Sequence, residues 1–152
     1  MLKNINIDGT IIKNVDENVY ISGQIRADMI NEFKKNKIEL LINNRPDNED
    51  INQLKSIDIK ELTENLSIDY YNIPFSGSNV RSDQIHQLAD LLKPNDKKVL
   101  IFCKSGARSA LIWGLSSVIY FGAEISDVMQ KISNLGYDSS ILPNMVEYFS
   151  NI

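Results

Sequence analysis

The strongest chemical signal in the chain is the run Cys103-Lys104-Ser105-Gly106-Ala107-Arg108-Ser109. It follows the unbroken apolar stretch Val99 to Cys103 and precedes Arg108 to Phe121, which is apolar nearly all round. That pattern reads as a buried strand, a short loop and a helix through the core. The cysteine then stands at a strand's carboxyl end, where loop N–H groups converge and the helix dipole is positive. Such a place favours the thiolate, the reactive form of cysteine. Lys104, Ser105, Gly106 and Ala107 supply the ring of backbone donors, and Gly106 lets the loop turn inward without a side-chain clash. Arg108, at the first turn of the helix, offers a planar two-pronged donor to a tetrahedral oxyanion. Ser109 is placed to hydrogen-bond the sulfur. A solitary cysteine is as readily a buried space filler. The Gly, Arg and Ser that follow at strand-to-helix spacing turn the reading toward a nucleophile.

Other residues are weighed against this loop. Arg45 and Asp47 flank Pro46 on the loop after the second strand. Arg45 could steer anions from outside and Asp47 could act as a general acid, although Pro-Asp-Asn is also an ordinary turn. Asp83 opens an amphipathic helix, where a carboxylate stabilises the positive dipole end by about 0.3–1 kcal/mol. That role outweighs acid catalysis for it. His86, the only histidine, lies beside the apolar face of the same helix and is read as solvent-facing. Trp113 and its neighbours are read as core.

The elements that must position the loop alternate. Val19 to Ser22 and Ile38 to Asn43 read as strands, with a helix over Arg26 to Lys35 between them. A polar segment spans Asn44 to Asp58, a short helical stretch lies near Lys60 to Leu66, and Ile68 to Ile73 resumes a strand closed by Pro74. Ile85, Leu88, Ala89 and Leu92 follow helical spacing up to Pro94. Ile125, Val128, Met129, Ile132 and Leu135 give a last amphipathic helix capped by Gly136. The expected fold is α/β, with a mostly parallel central sheet flanked by helices. No repeat or long linker interrupts the chain, so residues 1–152 are expected to form a single domain.

Composition narrows the function classes. With 152 residues and 43% hydrophobic content, the chain can build one core without disulfides or a structural metal. Cys103 is the only cysteine, which excludes an intrachain disulfide and any multi-thiolate metal site. Neither a metal nor an organic cofactor is expected. The formal net charge of −4, with scattered lysines, argues against a nucleic-acid partner. The N-terminal stretch is interrupted by charge every few residues, so no signal peptide or membrane span is expected. The chain is expected to begin at Met1 and to work in the cytoplasm.

Four stretches resemble a known family: VYISGQI (19–25), INNRPDNED (42–50), YNIPFSG (71–77) and FCKSGARSALIW (102–113). They are similar to the phosphatase-like domain of the bacterial beta-lactamase-hydrolase-like proteins, over about Ile12 to Tyr137. The resemblance implies the fold of dual-specificity protein phosphatases, with Cys103 as nucleophile and Arg108 as oxyanion clamp. Members of that family occur alone or fused to persulfide-metabolising enzymes, and both phosphatase and sulfurtransferase activity have been attributed to it.

Two departures from the protein phosphatases bear on the reaction. Those enzymes place five residues between cysteine and arginine and a histidine before the cysteine. Here four residues intervene and Phe102 precedes. A loop of that length resembles the rhodanese sulfurtransferases, whose ligand at the cysteine is a single sulfur. The phosphatases also keep an aspartate about thirty residues before the cysteine, whereas Phe75 to Val80 holds no Asp or Glu. A sulfite or thiolate leaving group departs as a stable anion and needs no such acid. The sequence therefore ranks first a sulfurtransferase acting on thiosulfate or a small persulfide, with a thiol acceptor taking the sulfur. In it Arg108 holds the anionic end of the donor, Ser109 stabilises the departing thiolate and Arg45 attracts the anion. A phosphatase with a phosphocysteine intermediate, using Asp47 or Asp83 as acid on a phosphoester substrate, ranks second. A non-catalytic anion-sensing module ranks third.

Overall fold

A computed structural model describes residues 2–93 and 96–151. The parallel part of the sheet comprises β3 (Val19–Ser22), β4 (Ile38–Asn43), β5 (Asp69–Asn72) and β6 (Lys98–Phe102). Two further strands, β1 (Ile5–Ile7) and β2 (Thr10–Asp16), add an antiparallel edge, giving the order β1-β2-β3-β6-β4-β5. This hairpin is absent from the sequence expectation. Its turn is Asp8-Gly9, with both residues at positive φ (50° and 88°), as a two-residue hairpin requires. Ile7 and Ile12 fasten it to one side of the core, and Val15, at a register shift in β2, to the other.

The helices are α1 (Met29–Lys35), α2 (Ser56–Asn65), α3 (Ser82–Leu92), α4 (Ala107–Phe121), α5 (Ile125–Asn134) and α6 (Leu142–Ser150). The first of them starts three residues later than its periodicity suggests. The last was not expected; Met145, Val146 and Phe149 pack it against the core. Helix α3 is described as ending at Leu92, and Pro94, read as its terminator, lies outside the described residues.

Alternation along the central strands divides the core. Leu40, Ile42, Val99 and Ile101 face a cluster with Ile85, Leu88, Ile112 and Trp113. Leu41, Leu100 and Phe102 face Met29, Ile30, Phe33 and Ile59 on the other side. Burial on both faces explains the continuous apolar run of β6, and a parallel sheet requires it. No helix among the described residues is long and apolar enough to cross a membrane. Because β3, β6, β4 and β5 run the same way, all their carboxyl ends open on one edge, where ligands of such sheets gather.

Candidate active site

Cys103 directly follows β6, is fully buried, and its Sγ accepts a hydrogen bond from the Gly106 N–H at 3.1 Å. The sulfur thus faces its own loop. Neighbouring strand ends hold that loop through the backbone. Cys103 N–H donates to Ser22 O at 3.4 Å, Gln24 N–H to Lys104 O at 3.0 Å, and Asn44 N–H to Phe102 O at 2.8 Å. Gly23 permits this approach, since a Cβ there would lie 2.9 Å from Lys104 O. Gly106 has φ +101° and begins α4. The N–H of Ala107 is taken by Ser105 Oγ at 3.3 Å. Those of Arg108 and Ser109 have no protein acceptor among the described residues. They are the unpaired donors of a helix start, the kind of group that binds anions.

Arg108 is held in a fixed pose. Its Nη1 donates to Glu49 Oε2 at 2.8 Å and to Phe75 O at 3.0 Å, and its Nη2 donates to Glu49 Oε1 at 2.9 Å. A guanidinium has five N–H groups, so the Nε–H and one Nη2–H remain. These two lie parallel and form one two-pronged edge with no oxygen partner among the described residues. The Glu49 bonds raise the pKa of Arg108 above its usual value against the opposing effect of burial, and the charge of Cys103 adds to the rise.

The carboxylate that fixes Arg108 was not singled out in the sequence. Glu49 is pushed down to about 2, first by its hydrogen bonds from Arg108, against partial burial, and then by Arg45. Arg45 is only 2% exposed, so it cannot attract anions from outside. Instead its Nε donates to Glu49 at 2.8 Å, its Nη1 to Gln24 Oε1 at 2.9 Å and its Nη2 to Asp50 at 2.6 Å. Asp50 in turn lies 3.5 Å from Lys104 Nζ. Three cations therefore meet two carboxylates around the loop, and the remaining positive charge faces the Cys103 sulfur. A buried arginine demands carboxylate partners, and Glu49 stands one helical turn's spacing after Arg45. That was the available signal.

Two further expectations change. Ser109 does not bond the sulfur: its Oγ donates to Asn44 Oδ1 at 2.8 Å, both residues fully buried, while Asn44 Nδ2 donates to Ile73 O at 2.9 Å. Ser109 thus ties α4 to the ends of β4 and β5. Asp47 is exposed and accepts from Ser56 N–H at 2.9 Å, capping α2 rather than serving the loop. Asp83, also exposed, pairs with Arg81 through bonds of 3.0 and 3.2 Å, which lowers its pKa. His86 is exposed near Tyr120 and Asp90, and Trp113 is buried in the core.

Beside Arg108 opens a cleft of about 330 Å³, lined by Gly77, Ser78, Ala107, Arg108, Leu111, Asp138 and Ile141. A larger one, about 600 Å³, lies at the amino ends of β3 and β6 near Asp16, Val19 and Val99. It is at the wrong end of the sheet for this chemistry.

Residues 11–119 match the family described as beta-lactamase hydrolase-like protein, phosphatase-like domain. The chain belongs to this family. A beta-lactamase hydrolase-like protein of Xylella fastidiosa is 29% identical over 108 residues, covering 71% of this chain and 25% of that protein. The chain therefore spans about a quarter of the length of the curated relatives it matches. Among solved structures, a candidate phosphatase from Neisseria meningitidis superposes with TM-score 0.73 at 24% identity, over 92% of this chain and 96% of that one. PTPMT1 in complex with PI(5)P gives TM-score 0.72 at 11% identity, over 90% and 93%. The fold is that of the cysteine phosphatases. Phosphatase likeness, and not sulfur transfer, is what the family description and the Neisseria structure name.

Proposed function

We propose that this domain is a cysteine-dependent phosphomonoesterase, the reading that the sequence alone ranked second. The observation that carries it is the pose of Arg108. Glu49 and the Phe75 carbonyl fix the guanidinium, whose remaining Nε/Nη2 edge is left to the Cys103 sulfur and a ligand. In this reading Cys103 Sγ attacks phosphorus, an S–P bond forms and the ester P–O bond breaks. Arg108 and the first N–H groups of α4 hold the phosphoryl oxygens. Water then attacks phosphorus, the S–P bond breaks, and phosphate and thiolate are released. Lys104, Ser105, Gly106 and Ala107 form the ring, and Arg45 acts through Glu49 rather than on the substrate. A phosphoester substrate also accords with the PI(5)P held by PTPMT1.

The leaving group receives little help. Glu49 is held to about 2, and Asp138, the carboxylate lining the cleft, is lowered by its bonds from Ser140. Neither is a good proton donor near neutral pH. Phenolic esters, whose leaving groups depart as relatively stable anions, are therefore the preferred substrates. The four-residue spacing from Cys103 to Arg108 favours a second reading, sulfur transfer from thiosulfate to a thiol.

The deciding experiment compares the protein and Cys103→Ser on an aryl phosphate and in thiosulfate-to-thiol transfer. Cysteine-dependent phosphate release is expected. Sulfur transfer without phosphate release would reverse the two readings, and inactivity in both with tight phosphate binding would point to an anion sensor.

A further inference from the structure

Tyr137 lies on the segment between α5 and α6, outside the matched family region, and none of the chemistry above uses it. Its hydroxyl donates to Ser105 O at 2.9 Å. That carbonyl shares a peptide unit with the Gly106 N–H, which donates to Cys103 Sγ at 3.1 Å. In a trans peptide the C=O and N–H point in opposite directions. Holding the oxygen outward therefore aims the N–H inward at sulfur. We propose that Tyr137 is a positioning residue, a latch that fixes the Ser105–Gly106 peptide plane so that its N–H serves the Cys103 thiolate.

Three observations show why a latch is needed and how it is held. Gly106 sits at φ +101°, and glycine lets the adjoining peptide rotate at little cost; nothing in the residue itself stops the N–H from turning away. A Cβ at Gly106 would fall on Tyr137 Oη, so the phenol occupies the space that a side chain there would take. Lys13 on β2 clamps the ring from another side: its Nζ stands 4.5 Å from the ring centroid and donates to Leu135 O at 2.7 Å. The edge hairpin thus reaches the nucleophile through three contacts. Burial first, and the charge of Cys103 second, raise the Tyr137 pKa, so the phenol remains a donor across the working range.

The latch rests on Cys103 being a nucleophile and not on which anion it attacks. The test is the pH profile of Cys103 alkylation by iodoacetamide in the full chain, which needs no turnover. Tyr137→Phe keeps the ring and its lysine contact and removes only the donor. Its profile is expected to move to higher pH by about half to one unit, which is a roughly 3- to 10-fold loss of alkylation rate below the midpoint. Lys13→Met should move it the same way by less. Thermal melting should change little in Tyr137→Phe, whereas a merely structural role would lower the melting temperature and leave the profile in place. A Tyr137→Phe profile superposable on the parent's overturns the latch while leaving the nucleophile intact. A parent protein that alkylates only like free cysteine overturns both.

Discussion

The two loops that wall the Cys103 segment are built on opposite plans. The one after β4, residues 44–50, is a lattice of charge: Arg45 bonds Gln24, Glu49 and Asp50, Glu49 grips Arg108, and Asp50 approaches Lys104. The one after β5, residues 73–80, offers the site a single backbone acceptor, Phe75 O, and leaves Ser76 to Asn79 exposed beside the cleft. The first wall is organised before any ligand arrives, so it spends nothing on reorientation during reaction. The second leaves room. Under the proposed function, reactivity and substrate selection fall to different loops, and substitutions should separate them.

Breaking the rigid wall should have the largest effect. Glu49→Gln keeps the shape but removes the charge that holds two guanidiniums. We expect kcat/KM on an aryl phosphate to fall by about 10²–10³-fold, the scale of losing a preorganised oxyanion donor. A fall of less than about threefold would mean that Arg108 is positioned without Glu49. The same variant has a pH signature. The folded-state pKa of Glu49 is depressed to about 2 from an ordinary 4.5, so its contribution to stability is fully present above about pH 4.5. It is lost as pH falls through about 2. The stability gap between parent and Glu49→Gln, followed by chemical denaturation, should therefore be widest near neutrality and close between those limits.

Arg45 sharpens the comparison by separating support from contact. It is 2% exposed and its guanidinium is held by Glu49, Gln24 and Asp50, so Arg45→Met should act mainly on the fold. Breaking a buried ion pair costs about 3–5 kcal/mol. Here Glu49 keeps Arg108 and Asp50, with a side chain 53% exposed, keeps water and Lys104, so about 2–3 kcal/mol is expected from denaturant melts. Activity should fall by about tenfold, less than for Glu49→Gln, because the direct clamp on Arg108 survives.

Ser109 distinguishes the sequence reading from the structure directly. If its hydroxyl served the sulfur, Ser109→Ala would shift the alkylation profile of Cys103. Since it donates to Asn44 inside the core, the variant should instead lose about 1–2 kcal/mol of stability by leaving Asn44 Oδ1 unpaired. The alkylation midpoint should stay in place. A shifted midpoint with unchanged stability would restore the earlier assignment.

How much was legible follows from the same contrast. The central strands, α3, α4 and α5 announce themselves through periodicity, because burial on both sheet faces leaves no alternative for Val99 to Phe102 or Ile38 to Ile42. The cysteine loop was legible because glycine, arginine and a strand end coincide within a few residues. What sequence reasoning missed was long-range or partner-dependent. The Asp8-Gly9 hairpin is the local exception, a two-residue turn between short apolar runs. Arg45 and Glu49 are polar residues in a polar segment, and only folding shows that one is buried and the other bridges to Arg108. Ser109 had two possible acceptors in reach, sulfur and Asn44, and one-dimensional spacing does not choose between them. Tyr137 meets Ser105 from 32 positions away, a contact made by the packing of α5 against α4.

The open wall should give the smallest effects, and they test whether substrate selection resides there. Asp138 is the carboxylate at the cleft, but its pKa is lowered by bonds from the Ser140 N–H and hydroxyl, so it is ionised at neutral pH and has no proton to give. Asp138→Asn should then change kcat on an aryl phosphate by less than about threefold, whereas loss of a working general acid costs about 10²–10⁴-fold. Across aryl and alkyl phosphates, kcat should fall steeply as the leaving group becomes more basic, with the same slope in parent and variant. Asp83, paired with Arg81 at the start of α3, should show no effect on either measure when changed to Asn. A shallow slope in the parent that steepens in Asp138→Asn would make Asp138 a proton donor after all. The wall after β5 would then share in the chemistry instead of only making room for it.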